Sequence, residues 1–177
     1  MNGVIAPSRW SGGFSRRAGN LLGAAACVAL MGYALFAQYV LRLEPCPLCI
    51  LQRVAVMAVG GFFLLAFLHD PARFGARVYG ALIVVCAALG GLVAARQLWI
   101  IAQPPGTVAE CGASLQYMMD VLPWREVLDK VLRGSGECAK VDWHFLGLNM
   151  PTWVLIALVA LALWGVIVNW RFLKRGT

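Results

Sequence analysis

Charge is scarce in this sequence: 13% of its 177 residues are charged, against 61% that are hydrophobic. A soluble domain of that make-up would leave large apolar patches in water, which excludes an ordinary globular protein and points to the bilayer. Histidine is nearly absent as well. His69 has no second His or Cys near it, so it reads as a solvated turn residue rather than a metal ligand, and His144 beside Trp143 reads as an interfacial anchor. No second Cys-x-x-Cys completes a four-thiolate zinc site, and no His follows Cys49 directly, as covalent haem attachment requires. There is no signal for a Rossmann, haem or iron–sulfur site. The net charge of +7 is scattered around apolar runs instead of gathered in a patch, which argues against a nucleic-acid partner.

What is present is apolar length. Four stretches, about 18–41, 48–68, 78–102 and 151–170, each have roughly the 20 residues a bilayer core demands. Arg16-Arg17 before the first stretch resembles a signal-peptide start, but the run continues too long for one and is read as an uncleaved span. Four spans put both termini on one side. That side holds Arg9, Arg16, Arg17, Arg73, Arg77, Arg171, Lys174 and Arg175 against the single acid Asp70, so the positive-inside rule makes it cytoplasmic. On the other side acids and bases balance, across a short loop at about 42–47 and a long one at about 103–150. In the long loop Leu115, Met118, Met119 and Leu122, then Trp124, Val127, Leu128, Val131 and Leu132, recur at helical spacing, and Pro123 suits the first turn of a second helix. The expected fold is an all-α membrane protein: a single membrane domain over residues 1–177, a four-transmembrane-helix bundle whose outer loop carries short amphipathic helices. These lie on the bilayer or pack as a mini-domain, since both give the same period. Gly60-Gly61 and Gly90-Gly91 suggest close helix approach.

Four of the six cysteines, Cys46, Cys49, Cys111 and Cys138, fall on the outer side; Cys27 and Cys86 lie within spans and read as small packing residues. The stretch Glu44-Pro45-Cys46-Pro47-Leu48-Cys49-Ile50-Leu51-Gln52-Arg53 is the chemical centre. Two cysteines two residues apart close too small a loop for a stabilising staple, and such a bond exchanges readily. Pro47 presets a first helical turn, placing Cys49 where the helix dipole favours a thiolate, with Arg53 one turn later on the same face. Cys111 and Cys138, with Gly134-Ser135-Gly136 before the latter, suit a moving arm that meets a soluble thiol protein. The fixed pair then needs an electron acceptor, and a lipid-soluble quinone is one that requires none of the missing cofactor motifs. Arg96 has two readings: snorkelling to the headgroups with Trp99 as anchor, or a role beside the redox site. The rival to a redox relay is a small transporter or assembly subunit with stapled loops, which the lack of charge near the centre of any span disfavours.

The Cys46–Arg53 block, the Cys111 and Cys138 pair, and Trp143-His144-Phe145-Leu146-Gly147-Leu148-Asn149-Met150-Pro151-Thr152-Trp153 together resemble the bacterial disulfide bond formation protein B (DsbB) family, over essentially the whole chain. The resemblance implies a four-helix inner-membrane thiol:quinone oxidoreductase that reoxidises DsbA, a periplasmic thioredoxin-like dithiol oxidase. It implies that Cys111 is attacked by the partner's thiolate and that the released Cys138 attacks Cys46. Cys49 would then donate electrons to ubiquinone or menaquinone through a charge-transfer or covalent adduct. Arg53 resembles the family arginine needed for quinone use, a guanidinium being suited to both a thiolate and a developing oxyanion; Arg96, by its position rather than the resemblance, is a second cofactor-binding candidate. Where many members carry a histidine near the outer end of the third span, this chain reads Arg96-Gln97. An outward-reducing enzyme of the vitamin K epoxide reductase type shares the architecture, but the inner face has no cysteine pair to feed it.

Overall fold

The structure, a computed structural model, describes residues 15–104, 120–133, 138 and 143–171. The expectations on Cys111, on the helical run from Leu115 to Met119 and on Gly134–Gly136 lie outside these residues.

Among the described residues four helices are long and apolar enough to cross a membrane. The first, α1, runs from Arg16 to Tyr39, and the Ser15 side chain caps it by accepting a hydrogen bond from the Ala18 amide at 3.1 Å. Beyond α1, Arg42 takes a positive φ of 56°, which turns the chain back within a few residues. Helix α2 (Pro47–His69) starts with Pro47 in its first turn and ends on Asp70 in the left-handed conformation. There Asp70 meets Arg16 at 2.8 Å, tying the start of α1 to the end of α2. Helix α3 (Arg73–Ile101) begins five residues before the apolar run that announces it. Arg73 and Arg77 belong to the helix even though their charge hides it, because long basic side chains extend from a span's end to the polar layer.

After α3 comes α4 (Trp124–Arg133), preceded by Pro123 as its sequence suggests. A two-stranded antiparallel hairpin then pairs β1 (His144–Phe145) with β2 (Leu148–Asn149). Its turn, Leu146 and Gly147, holds φ of 51° and 78°, the two positive values a type I′ turn demands. Asn149 then caps α5 (Met150–Val166), accepting from the Thr152 amide at 3.2 Å and from its hydroxyl at 2.6 Å. The last span finishes as a π-helical turn, Ile167–Arg171.

The helices pack in chain order, α1 on α2, α2 on α3 and α3 on α5. Phe63, Val59 and Ile83 are fully enclosed at the centre, while Val28, Leu92 and Phe74 point outward, as spans facing lipid do. One glycine of each pair makes the expected close approach. A Cβ on Gly60 would lie 2.8 Å from the Cys27 Cβ, and one on Gly90 would lie 2.6 Å from the Ala55 Cβ. Gly61 faces open space, and Gly91 would make only ordinary contact. Cys27 is buried as packing against α2, and Cys86 borders the same core.

Among the described residues the buried polar side chains are four, and they form two pairs at opposite ends of the bundle. Asn20 and Asn169 exchange hydrogen bonds of 3.3 and 3.0 Å at the end where Arg16 lies. Gln52 and Gln97 meet at the cysteine end. The apolar interior makes an unpaired amide costly, so each amide is matched by another. His69, expected in the turn, is instead the exposed last residue of α2 and shares a hydrogen bond with the Tyr79 hydroxyl.

Candidate functional site: a dithiol on the wall of an apolar cavity

Cys46 caps α2: its sulfur accepts the Cys49 amide at 3.3 Å, as a serine oxygen would at a helix start. This capping turn folds the pair together, leaving Cys46 Sγ and Cys49 Sγ 2.9 Å apart as thiols. Cys46 is buried, while Cys49 is half-exposed. Cys138 is enclosed in the same apolar cluster, with Leu48, Ile100, Val127 and Val131, and its side chain hydrogen-bonds Cys46. Cys46, Cys49 and Cys138 therefore converge. The bonds to Cys138 and to Cys49, reinforced by burial, push the Cys46 thiol well above the usual range. Val127 and Val131, one turn apart on α4, cover this cluster while Trp124 stays exposed, so the inner face of that amphipathic helix packs on protein.

On its other side the pair opens to a cavity of about 580 Å³. Cys49, Gln52 and Arg53 form its α2 wall, α1 contributes Met31, Tyr33 and Ala34, and α5 contributes Trp153 and Val154. The hairpin closes the space with an aromatic row. Trp143 meets Tyr33 edge-on at 6.1 Å and stacks on Phe145 at 6.0 Å, and Phe145 lies 5.9 Å from Trp153, whose indole N–H donates to the Phe145 carbonyl. The sequence reads this segment only as interfacial anchors; two-residue strands leave almost no periodic signal, so the wall they build was not legible.

Arg53 reaches this cavity as its one-turn spacing from Cys49 suggests, and its guanidinium is fixed by donating to the Gln38 side chain and, at 3.1 Å, to the Ala34 carbonyl on α1. Arg96 sits elsewhere. Its guanidinium lies 4.2 Å over the Trp99 ring, and it is not among the residues lining the cavity. The next residue, Gln97, reaches the sulfurs instead: its Nε2 lies 3.3 Å from Cys46 Sγ and 3.4 Å from Cys49 Sγ. Sequence reasoning missed Gln97, Gln52 and Gln38 as site residues, although a carboxamide inside an apolar span is itself a signal. Among the described residues no group of three or more His, Cys, Asp or Glu is placed to hold a metal.

A dithiol at one end of a bundle of membrane-spanning helices, met on one side by a third cysteine and with Cys49 open on the other to an apolar cavity, marks an oxidoreductase of the bilayer. The sequence comparisons agree. The family model "Disulfide bond formation protein DsbB" matches residues 16–168. The chain is 51% identical to disulfide bond formation protein B of Chromobacterium violaceum over 150 residues, covering 85% of this chain and 90% of that protein. It is 49% identical to the protein of the same name from Methylobacillus flagellatus, covering 87% and 93%, and 48% identical to that of Marinobacter nauticus, covering 82% and 86%. The chain belongs to the DsbB family of disulfide bond formation proteins.

Proposed function

We propose that this disulfide bond formation protein is a thiol:quinone oxidoreductase, a single membrane domain with both termini cytoplasmic and its redox cysteines periplasmic. It takes electrons from a thioredoxin-like dithiol oxidase of the DsbA type and delivers them to ubiquinone or menaquinone. The observation that carries the reading is the position of Cys49 and Arg53 side by side on the wall of an apolar, aromatic-lined cavity, with Cys138 against the far side of the same pair.

The sulfur steps balance as exchanges. A thiolate of the partner attacks Cys111 of a Cys111–Cys138 disulfide, a mixed disulfide forms, and Cys138 leaves as thiolate. Cys138 attacks Cys46, the Cys46–Cys49 bond breaks, and the electron pair departs on Cys49. The hydrogen-bonded contact between Cys138 and Cys46 supports that order of attack. The second thiol of the partner then attacks the partner's own sulfur in the mixed disulfide, which frees the oxidised partner and releases Cys111; Cys111 attacks Cys138, re-forming the Cys111–Cys138 disulfide and leaving Cys46 and Cys49 as the reduced pair.

The cavity residues fit a quinone: flat aromatic walls suit a planar ring, and Arg53 offers a guanidinium for a ring oxygen. A bound quinone supplies the two-electron sink. Cys49 presents its sulfur at the cavity wall, while Gln38 and the Ala34 carbonyl keep the Arg53 fork from swinging away. The apolar lining excludes water, which strengthens the hold of that guanidinium on a developing oxyanion. The test is turnover: purified protein with quinone should oxidise a thioredoxin-like dithiol protein catalytically, and Cys49→Ser should abolish it. A Cys49→Ser protein that still turned over would remove the dithiol from the path.

A further inference from the structure

Gly90, Ala87 and Ile83 pack α3 against its neighbours through apolar contacts away from the Gln52–Gln97 pair. Both carboxamides of that pair are buried, Gln52 at 3% and Gln97 at 4% exposure. Gln97 Oε1 accepts a 2.7 Å hydrogen bond from Gln52 Nε2, far shorter than its 3.7 Å contact from the Cys49 thiol, and the shorter bond sets the orientation of the Gln97 amide. Its two N–H groups are then turned toward the sulfurs, with Nε2 nearly equidistant from Cys46 and Cys49. A neutral thiol is a weak acceptor, so donors aimed at it are poorly matched; a thiolate is a strong one. Two buried donors fixed on two sulfurs make a site arranged for the anion. Arg53, by contrast, spends its two described hydrogen bonds on α1.

We infer that Gln97 is a catalytic hydrogen-bond donor that receives the negative charge released on the Cys46–Cys49 pair, and that Gln52 is the positioning residue that keeps its amide facing the sulfurs. The inference rests on the relay above for its moment of use. When the Cys138 thiolate attacks Cys46, the Cys138–Cys46 bond forms as the Cys46–Cys49 bond breaks, and the electron pair arrives on Cys49 Sγ, within reach of Gln97 Nε2. The Cys49 amide, which donates to Cys46 Sγ, serves the other sulfur in addition.

The test is peptide-resolved iodoacetamide labelling of the reduced, full-length protein in detergent, with no quinone and no partner. Labelling therefore distinguishes the outcomes even for a chain that fails to reduce quinone. Gln97→Met keeps the length of the side chain and removes the donor. A donor to a charged sulfur supports about tenfold more thiolate, while the less stabilised sulfur is intrinsically about 2.5-fold more reactive. Cys49 in Gln97→Met is therefore expected to label about fourfold more slowly at pH 7. Near pH 11, where thiolate is no longer limiting, it should label faster than in the unmodified chain. Gln52→Met, which leaves Gln97 in place, should show the same crossover at about half the size or less, and carries the test alone if Gln97→Met does not fold. Each variant is labelled in parallel with the unmodified chain, whose Cys49 rate at the same pH is the reference. Unchanged Cys49 rates, or slowing by the same factor at both pH values, would overturn the inference and leave the amides a packing role only.

Discussion

Arg53→Ala is the substitution with the most to say about the cavity. The guanidinium is anchored by the Gln38 side chain and the Ala34 carbonyl, so in the native protein it waits in place with no reorganisation to undergo when a quinone oxygen arrives. One hydrogen bond to a charged group is worth about 1.5–3 kcal/mol, which corresponds to roughly ten- to hundredfold in apparent affinity. If the contact is made equally to the bound quinone and in the transition state, its loss raises KM by that factor and leaves kcat little changed. If it strengthens as charge develops on the ring oxygen, kcat falls as well. The assay is steady-state oxidation of a dithiol substrate over a quinone concentration series, with Arg53→Lys alongside, because a lysine keeps the charge but not the planar fork. Arg53→Lys should recover part of the loss. A quinone KM within twofold of the native value in Arg53→Ala, with the protein folded, would remove Arg53 from the quinone site and with it the reading of the cavity.

Other consequences are independent of turnover. The raised Cys46 thiol titrates above the ordinary cysteine range, so its thiolate fraction at any mildly alkaline pH is below that of an unperturbed thiol. In the reduced protein, alkylation of Cys46 at pH 8–9 should lag that of an exposed cysteine and catch up only as pH rises further; early labelling would contradict the contact with Cys138. Gly90→Ala drives a Cβ to 2.6 Å from the Ala55 Cβ and should cost about 1–3 kcal/mol in detergent-unfolding midpoints, whereas Gly91→Ala, whose Cβ would meet nothing closer than 3.5 Å, should not destabilise. Asn20→Leu leaves Asn169 Oδ1 without its partner in an apolar setting, Nδ2 keeping the Gly165 carbonyl, and should destabilise by about 1–3 kcal/mol, while Asn20→Leu with Asn169→Leu should recover much of it. A double variant no better than the single would mean that the amides are not coupled.

The bundle was legible because bilayer thickness imposes a length, and composition reports it directly: the helices at Arg16–Tyr39 and Pro47–His69 fall within two residues of the apolar runs that announce them. Where charge overlaps a helix the reading shortens, as with the first turn of α3 at Arg73. The placement of Cys46, Cys49 and Arg53 was legible as well, because it is local: a capping turn folds Cys46 onto Cys49, and one helical repeat brings Cys49 and Arg53 to one wall of the cavity. Contacts between distant segments were not. Nothing near Cys138 announces Cys46, and nothing near Gln97 distinguishes it from Arg96, the neighbour that charge makes conspicuous. A helix advances each residue by about a third of a turn or less, so one position decides whether a side chain faces the sulfurs or, like Arg96, lies along Trp99.

The most direct measurement is anaerobic stopped-flow mixing of the fully reduced protein with one quinone, following quinone absorbance while acid-quenched samples are mapped for disulfides. Expected is the loss of one quinone per Cys46–Cys49 disulfide formed, with no quinone consumed by Cys49→Ser. Quinone left unreduced while the Cys46 and Cys49 thiols persist, or reduced equally well without Cys49, would contradict the route from dithiol to cavity.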